Sequence, residues 1–281
     1  MQALRLGVMA PLEKGPEATI QEVAEFGLPT CQVVCWQRDL LTDAVADRLS
    51  AAASTHGVDI TTLWTGLPGP QVWDFVQGPV TIGLVPLAYQ EERVATLKKG
   101  ADFAARIGIP SITTHVGFIP ESLTNPLYAK LLDVLREIVG YCAERDLDFW
   151  FETGQETPVV MLRVFEDLGY DNLGVNLDPA NLLMYGKANP VDALDLLGTY
   201  VRGVHAKDGE YPTNGRELGV EKPLGEGRVN FPVLIAKLRE LGYTGALTIE
   251  REISGPQQIE DIRHAVNLLS GLVSGTTRIP G

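Results

Sequence analysis

The sequence predicts a (β/α)8 barrel, an α/β fold in which eight parallel strands form a closed cylinder inside a ring of helices. Short apolar runs alternate with helical segments eight times along the 281 residues, which indicates a parallel sheet. Four of these runs end in a single acidic or imidazole side chain, the position at which such barrels hold their functional residues. No GxGxxG motif follows the first strand, so an open dinucleotide-binding sheet is disfavoured.

The elements follow one another in regular order. We expect strands near 5–9, 30–35, 58–64, 111–115, 148–152, 173–178, 201–206 and 245–250. Helices are expected near 16–26, 42–56, 90–107, 126–145, 157–169, 190–198, 231–241 and 256–271. Because barrels of this type routinely reach this length as one unit, we expect one domain over 1–281, with 272–281 as a C-terminal tail.

Two predicted loops are unusually long. The segment 66–90 is rich in Pro and Gly, and the segment 208–230 follows the seventh strand. Both are expected on the C-terminal face of the barrel, where they could close over a substrate. The alternative is that they are variable surface excursions.

Composition excludes several classes of protein. The net charge of −13 and the absence of a basic run argue against nucleic acid as a partner. No segment approaches the roughly 20 apolar residues of a membrane span, and the apolar stretch at the N-terminus is too short for a signal peptide. We therefore expect a cytoplasmic protein without a membrane partner, and the sequence leaves a homo-oligomer open.

Four polar side chains end four of the predicted strands. Glu152 ends DFWFE, Asp178 ends LGVNLD, His205 ends VRGVH and Glu250 ends GALTIE. Side chains alternate between the faces of a strand, and most of the large aliphatic residues in these runs take the positions that face the helices. DFWFE is the exception, because Trp150 falls on the same side as Glu152. We expect all four side chains to face the barrel axis and to converge at one end.

Three carboxylates and one imidazole at one place favour a site for a single divalent metal ion. A carboxylate buried without a partner is costly, and inward Arg or Lys partners are scarce in this sequence. Oxygen donors with one imidazole suit a borderline-hard ion better than a structural Zn²⁺ site. Mn²⁺, Mg²⁺ and Co²⁺ are ions of this kind. The competing interpretation is that the carboxylates form structural ion pairs.

Such a site suits proton transfer beside a carbonyl group. A metal that holds two adjacent oxygens of an α-hydroxy ketone stabilises the enediolate formed when the intervening carbon loses its proton. Two carboxylates on opposite sides of that carbon can then act as base and acid. Glu152 and Glu250 are the candidates for this pair. Return of the proton to the opposite face gives epimerisation, and return to the neighbouring carbon gives isomerisation.

Longer motifs surround these residues in order along the chain, namely FETGQETP, NLDPANLL, VHAKDG, PLGEGRVNFP and GALTIERE. Together they resemble the sugar phosphate isomerase/epimerase group of the xylose-isomerase-like barrels. The resemblance implies an enzyme of carbohydrate metabolism, with Glu152, Asp178, His205 and Glu250 as ligands of one divalent ion, commonly Mn²⁺. It also implies that both glutamates are catalytic and that the substrate is a small carbohydrate.

The resemblance extends to substrate contacts. His115 matches a position that faces the substrate or a second metal, and a hydrogen-bonded core histidine is the alternative. Lys207 lies in a motif close to the substrate and shares the inward face of His205, with a solvated loop lysine as its alternative. Asn181 stands where many ketose 3-epimerases carry His, and this departure argues against free-ketose 3-epimerase activity.

Three further residues complete the predicted substrate contacts. Trp36 and Trp64 close the second and third strands, where an aromatic wall against the apolar face of a sugar would lie. Packing at the rim of the barrel is the alternative for both. Arg228, in the loop after the seventh strand, is a candidate contact for a substrate phosphate, which the sequence permits but does not require.

The leading hypothesis is an isomerase or epimerase of a ketose, a ketose phosphate or a keto-polyol. A lyase of the inosose dehydratase type is the runner-up, because it would use the same metal and the same first intermediate. A DNA repair enzyme similar to endonuclease IV needs more histidines than the four present and a less acidic surface. A binding or scaffold protein that has lost catalysis is disfavoured because both candidate acid/base glutamates are present.

Overall fold

The structure, a computed structural model, describes residues 4–274, and eight parallel strands close into a barrel inside a ring of helices. The predicted fold class is therefore confirmed. Around the barrel the order is β1 (Arg5–Pro11), β2 (Thr30–Cys35), β3 (Asp59–Thr65), β4 (Ser111–Thr114), β5 (Asp148–Glu152), β6 (Leu173–Leu177), β7 (Val201–Ala206) and β10 (Ala246–Ile249), which pairs with β1. Two short strands, β8 (Asp208–Gly209) and β9 (Glu221–Lys222), form a separate antiparallel pair in the loop after β7.

The helices surround this cylinder. They are α1 (Pro16–Glu25), α2 (Asp43–His56), α3 (Gly78–Thr81), α4 (Gln90–Ile107), α5 (Pro126–Ala143), α6 (Pro158–Leu168), α7 (Pro179–Met184), α8 (Pro190–Leu197), α9 (Phe231–Glu240) and α10 (Pro256–Ser274). Many begin with Pro, which suits the first helical position because its missing N–H has no partner there. Side chains cap several of the N-termini, including Thr42 at α2, Asn125 at α5 and Thr157 at α6.

The apolar core lies between the barrel and the helix ring. Phe149 and Phe151 of β5 point outward, and Phe151 packs edge-on against Phe165 of α6 with ring centroids 4.9 Å apart. Both β5 phenylalanines are fully buried. Removal of a buried Phe side chain typically costs about 3–5 kcal/mol, so contacts of this kind fix the helices to the strands that carry the site.

Inside the lower half of the barrel, one large side chain requires small neighbours. Trp150 of β5 points inward, as its position beside Glu152 predicted. A Cβ at Gly174 would lie 2.4 Å from the Trp150 ring, and one at Gly203 would lie 2.3 Å from Asn176 Oδ1. Glycine at both positions leaves room for Trp150 and Asn176, which form the floor beneath the strand ends.

Both long loops are tied down. In the 66–90 loop, the buried guanidinium of Arg93 donates hydrogen bonds to the carbonyl oxygens of Pro68, Pro70 and Gly83. In the loop after β7, the Asp208 carboxylate accepts from four backbone N–H groups, those of residues 209, 225, 227 and 229. These contacts hold both loops over the C-terminal face in a defined conformation.

Two predictions concern the edges of the fold. Helix α10 continues to Ser274, so the first residues of the predicted tail 272–281 are helical, and its remainder lies outside the described residues. None of the helices described in 4–274 combines the length and the apolar composition needed to cross a membrane.

Candidate metal centre

The four polar strand ends meet at the C-terminal mouth of the barrel. Glu152 is the last residue of β5 and His205 lies near the end of β7, while Asp178 and Glu250 directly follow β6 and β10. One potential ligand atom from each residue lies within 4.8 Å of all the others. Asp178 and His205 are fully buried, Glu152 is nearly so, and the Glu250 side chain is 15% exposed.

Distances within this cluster fit a shared cation. His205 Nδ1 lies 2.9 Å from Glu250 Oε2, 3.5 Å from Glu152 Oε1 and 3.8 Å from Asp178 Oδ2. Two ligand atoms about 2.1 Å from one ion, with bonds at right angles, would be roughly 3 Å apart.

Three of these atoms, Asp178 Oδ2, His205 Nδ1 and Glu250 Oε2, are buried without a hydrogen bond of acceptable geometry, although they lie within ion-pair distance of one another or of Lys207. Buried polar atoms normally have partners, so their common orientation toward one point fits a metal ion.

Charge supports the same conclusion. Lys207 is buried with its Nζ 3.4 Å from Asp178 Oδ2, 3.4 Å from Glu250 Oε2 and 3.1 Å from Glu252 Oε1. Burial opposes a charged ammonium, but the carboxylates around Lys207 raise its pKa well above the usual value. Three ionised ligand carboxylates and this ammonium leave two negative charges, which one divalent ion would neutralise.

A layer of amides holds His205 from below. Gln32 Oε1 lies 2.8 Å from His205 Nε2, and the Asn176 amide nitrogen lies 2.8 Å from the same atom. Gln32 and Asn176 also exchange hydrogen bonds of 2.9 and 3.1 Å. With Nε2–H donated to Gln32 Oε1, the Asn176 amide donates to that same oxygen rather than to Nε2. The lone pair of Nδ1 then faces the carboxylates, which is the arrangement that a metal-ligating histidine requires.

Asp178 is positioned by the backbone on both sides. Its Oδ1 caps α7 by accepting from the Asn181 N–H at 2.8 Å, while Oδ2 is left free to face the cluster. The Thr153 hydroxyl lies 2.9 Å from the Asp178 carbonyl oxygen and 2.8 Å from its nitrogen, so it ties the end of β6 to the end of β5. One carboxylate thus serves both the helix and the candidate metal site.

Glu152 contacts two aromatic residues. Trp64 Nε1 donates a hydrogen bond to Glu152 Oε2, and His115 Nε2 lies 3.3 Å from Glu152 Oε1. Burial would raise the pKa of Glu152, but His205 and His115 hold it well below its usual value. Burial opposes protonation of His205, yet Glu152 and Glu250 raise its pKa well above the usual value. In the metal-free protein, a proton on His205 therefore compensates part of the carboxylate charge.

An open cavity of about 520 Å³ lies above the cluster. Glu152 and Glu250 line it, whereas Asp178 and His205 lie beneath its floor. Its walls include Trp36, Trp64, Trp73, His115, Asn181, Met184 and Tyr185. Of the four candidate ligands, two therefore lie beneath the cavity and two border it.

Comparison with known proteins assigns the fold to a family. A family model described as xylose isomerase-like TIM barrel matches residues 20–271. The chain belongs to this family. A solved xylose isomerase domain protein from Planctomyces limnophilus is 35% identical, and the match covers 96% of this chain and 98% of that one with a TM-score of 0.91.

Other matches are more distant. An uncharacterized protein from Methanocaldococcus jannaschii is 28% identical over 171 residues, which are 57% of this chain and 56% of that relative. A D-tagatose 3-epimerase-like structure is 20% identical, with 98% of this chain and 100% of that one covered and a TM-score of 0.74. A probable 3-DHS dehydratase from Bacillus anthracis is 17% identical, with 94% and 99% covered and a TM-score of 0.70. The last two similarities are evidence for the fold alone.

In this xylose isomerase-like protein, the predicted substrate contacts divide into three groups. His115, Asn181, Trp36 and Trp64 line the cavity. Lys207 lies below it, among the candidate ligands. Arg228 is exposed and does not line the cavity.

Several site residues were not identified from the sequence. Gln32 is the one polar residue between Cys31 and Cys35 in an otherwise apolar run, and this was the available signal. Trp73 contacts His115, with ring centroids 5.2 Å apart, but it comes from a loop whose path the sequence does not predict. Glu252 contacts Lys207 from the loop after β10, and the sequence does not predict the path of that loop either.

Proposed function

We propose that this protein is a divalent-metal-dependent isomerase or epimerase that acts on a ketose or keto-polyol by proton transfer beside its carbonyl group. The observation that carries the proposal is the division of the cluster, in which Glu152 and Glu250 line the cavity and Asp178 and His205 lie beneath it. Two carboxylates facing one substrate position are what removal and return of a carbon-bound proton requires.

Each residue then has a role that follows from its surroundings. Glu152 is ionised at neutral pH, as its lowered pKa indicates, so it can accept the proton. Trp64 and His115 orient its two oxygens. Glu250, beside Lys207, can return the proton to the opposite face or to the neighbouring carbon. Trp36, Trp64 and Trp73 border the cavity and would cover part of a bound substrate.

A divalent ion held by Glu152, Asp178, His205 and Glu250 would supply positive charge that stabilises an enediolate. Three oxygen donors and one imidazole favour Mn²⁺, with Mg²⁺, Co²⁺ and Zn²⁺ as alternatives. His115 and Asn181, which line the cavity, are proposed to contact the oxygens of the substrate.

The test is solvent exchange. Mn²⁺-loaded protein is incubated in D₂O with ketoses, ketose phosphates and inososes, and deuterium uptake at carbon is followed by nuclear magnetic resonance. We expect uptake with at least one compound and loss of uptake in Glu152→Gln and Glu250→Gln. Glu260→Gln, an exposed position on α10, is the matched control and should exchange as the wild type does. Wild-type exchange in either active-site variant would remove that residue from the acid/base pair.

A lyase remains the second candidate, and a fold shared with a probable 3-DHS dehydratase is compatible with it. Both reactions begin by removing the same proton. They diverge afterwards, because a lyase expels a β-hydroxyl group as water. Appearance of an unsaturated product in the same incubation would select the lyase, whereas a deuterated ketose without loss of water would select the isomerase or epimerase.

A further inference from the structure

The cavity above the metal cluster continues sideways between the first and last helices of the ring. We call this extension the outer chamber. Its walls are Val23 of α1, Phe26 just after that helix, Ile253 just before α10, Ile262 within α10, and the outward residues Val8 of β1 and Ile249 of β10. It exists because α1 packs against α2 while α10 packs against α9 and the strands. Trp36, Trp64 and Trp73 border the rest of the cavity, which we call the main chamber. The main chamber is continuous with the outer chamber past the ends of β1 and β10.

The outer chamber is apolar, and the polar groups at its edge already have partners. The Thr19 hydroxyl donates to the Pro11 carbonyl oxygen at 2.6 Å, and the Gln258 amide donates to the Arg251 carbonyl oxygen at 2.8 Å. Lys14 pairs with Glu22. These contacts leave aliphatic and phenyl surface as the main feature that a bound molecule would meet, so the chamber selects for hydrophobic groups.

The cavity also lacks the chemistry of a phosphate site. Within residues 4–274, the Lys and Arg side chains that line it are Lys14, paired with Glu22, and Arg251, whose guanidinium lies 2.7 Å from both Glu221 and Asp261. Carboxylates of Glu152, Glu250 and Glu252 face the same space. A phosphate dianion there would find no lining Lys or Arg that is not already paired with a carboxylate.

The loop after β7 does not supply the missing cation. Arg216 and Arg228 are exposed and do not line the cavity, and Lys222 lies 3.6 Å from Glu210. At the N-terminus of α10, which borders the outer chamber, Pro256 has no N–H group and the N–H of Gln258 donates to the Gly255 carbonyl oxygen.

We propose that the natural substrate is an unphosphorylated keto-sugar or keto-polyol that carries an apolar substituent, and that this substituent occupies the outer chamber. The inference rests on the proposed function for the position of the sugar over the metal cluster. A volume of about 520 Å³ lies in the range of roughly 300–1,000 Å³ typical of pockets for drug-sized ligands, whereas a free ketose is considerably smaller. The aromatic walls hold the sugar ring, and the outer chamber recognises what the ring carries.

Binding can be tested without turnover. Hexitol ethers contain no carbonyl group and cannot enolise, so O-methyl, O-butyl and O-phenyl ethers at each terminal carbon are titrated by calorimetry into Mn²⁺-loaded full-length protein, beside a hexitol phosphate. We expect the butyl and phenyl ethers to bind at least about tenfold more tightly than the methyl ether, which is about 1.4 kcal/mol. Burial of the additional carbon atoms in the outer chamber is the reason. The phosphate should bind no more tightly than the unsubstituted hexitol.

Two variants locate the effect. Ser254→Trp places a large ring at the exposed edge of the outer chamber, and Gln258→Trp does so from α10. Each should remove the gain from butyl or phenyl. Ser254→Trp should also leave the affinities for Mn²⁺ and for the methyl ether unchanged, whereas Gln258→Trp additionally breaks the hydrogen bond to the Arg251 carbonyl oxygen. Ser270→Trp, exposed on α10 and not a lining residue, is the matched control and should keep the gain.

The outcomes separate this inference from the proposed reaction. Equal affinity for methyl and butyl ethers, a gain that survives both chamber variants, or tighter binding of the phosphate would overturn the substrate assignment. If deuterium exchanges into a ketose but apolar substituents do not change binding, the substrate assignment is overturned and the proposed reaction is retained. Substituent-dependent binding without exchange into any ketone would support the chamber and refute the reaction.

Discussion

Glu156 is a buried acid whose charged form the protein stabilises poorly. The residue lies between β5 and α6, its side chain is 3% exposed, and neither carboxylate oxygen has a hydrogen-bond partner. Burial raises its pKa from 4.5 to about 7, and the nearby His115 offsets this only in part. The folded protein therefore keeps a proton on Glu156 at pH values where the unfolded chain has released it.

The magnitude follows from the difference in pKa. Between pH 4.5 and about 7 the folded state binds more protons than the unfolded state, so stability falls as the pH rises through this window. At about 1.4 kcal/mol per pKa unit, the loss due to Glu156 is under 1 kcal/mol at pH 5 and about 3 kcal/mol at pH 8. A glutamine at this position has the same shape and does not titrate.

The assay compares wild type with Glu156→Gln in metal-free protein. Urea unfolding is followed by tryptophan fluorescence at pH 5 and at pH 8, with Glu166→Gln, an exposed position on α6, as the control. We expect the stability of the variant relative to wild type to increase by about 2–3 kcal/mol between the two pH values. The cost of burying the glutamine amide is the same at both pH values, so it cancels from this difference. A difference that does not change with pH would refute the argument and show that a partner holds the carboxylate in its charged form.

Three further predictions concern the metal centre and the loop after β7. His205 is protonated in the metal-free protein and must lose this proton to bind a metal ion. The affinity for Mn²⁺ should therefore rise by about tenfold per pH unit near neutrality, with release of about one proton. Calorimetry in two buffers of different ionisation enthalpy measures both the affinity and the proton release. Gly203→Ala puts a Cβ 2.3 Å from Asn176 Oδ1 and should lower Mn²⁺ affinity by about 10–100-fold, whereas Gly215→Ala, where a Cβ meets nothing within 4 Å, should not. Asp208→Ala removes the acceptor of four backbone N–H groups. It should destabilise the fold by about 2–4 kcal/mol and accelerate limited proteolysis within 210–222. An unchanged rate of cleavage would show that other contacts hold the loop.

Much of the barrel could be predicted because the hydrophobic pattern and the strand period carry the information. The predicted strand 148–152 coincides with β5, and the predicted strand 173–178 differs from β6 by one residue. Convergence of the polar strand ends follows from parallel strands with the same register of inward side chains. For this reason the positions of Glu152, Asp178, His205 and Glu250 could be inferred without a structure.

What could not be predicted depends on contacts between segments distant in the sequence. Helix α7 is short and buried on every side, so it shows no amphipathic pattern that would reveal it. Arg93, within QEERV, has the sequence appearance of an exposed helical charge, yet it is fully buried against loop carbonyl groups. Gln32 supports His205 across 173 positions of sequence, and strand parity alone cannot assign that partner.

Under the proposed function, the geometry of the four candidate ligands divides them between two tasks. Asp178 is fixed by its helix cap and by Thr153, and His205 by the amides beneath it, so neither can move without disrupting buried hydrogen bonds. Glu250 lies just beyond the end of β10, is partly exposed and faces the cavity together with Glu152. A group that transfers a proton must reach the substrate, whereas a group that only anchors an ion gains from rigidity. The pair with access to the cavity should therefore set the rate of proton transfer, and the buried pair should mainly set the affinity for the metal.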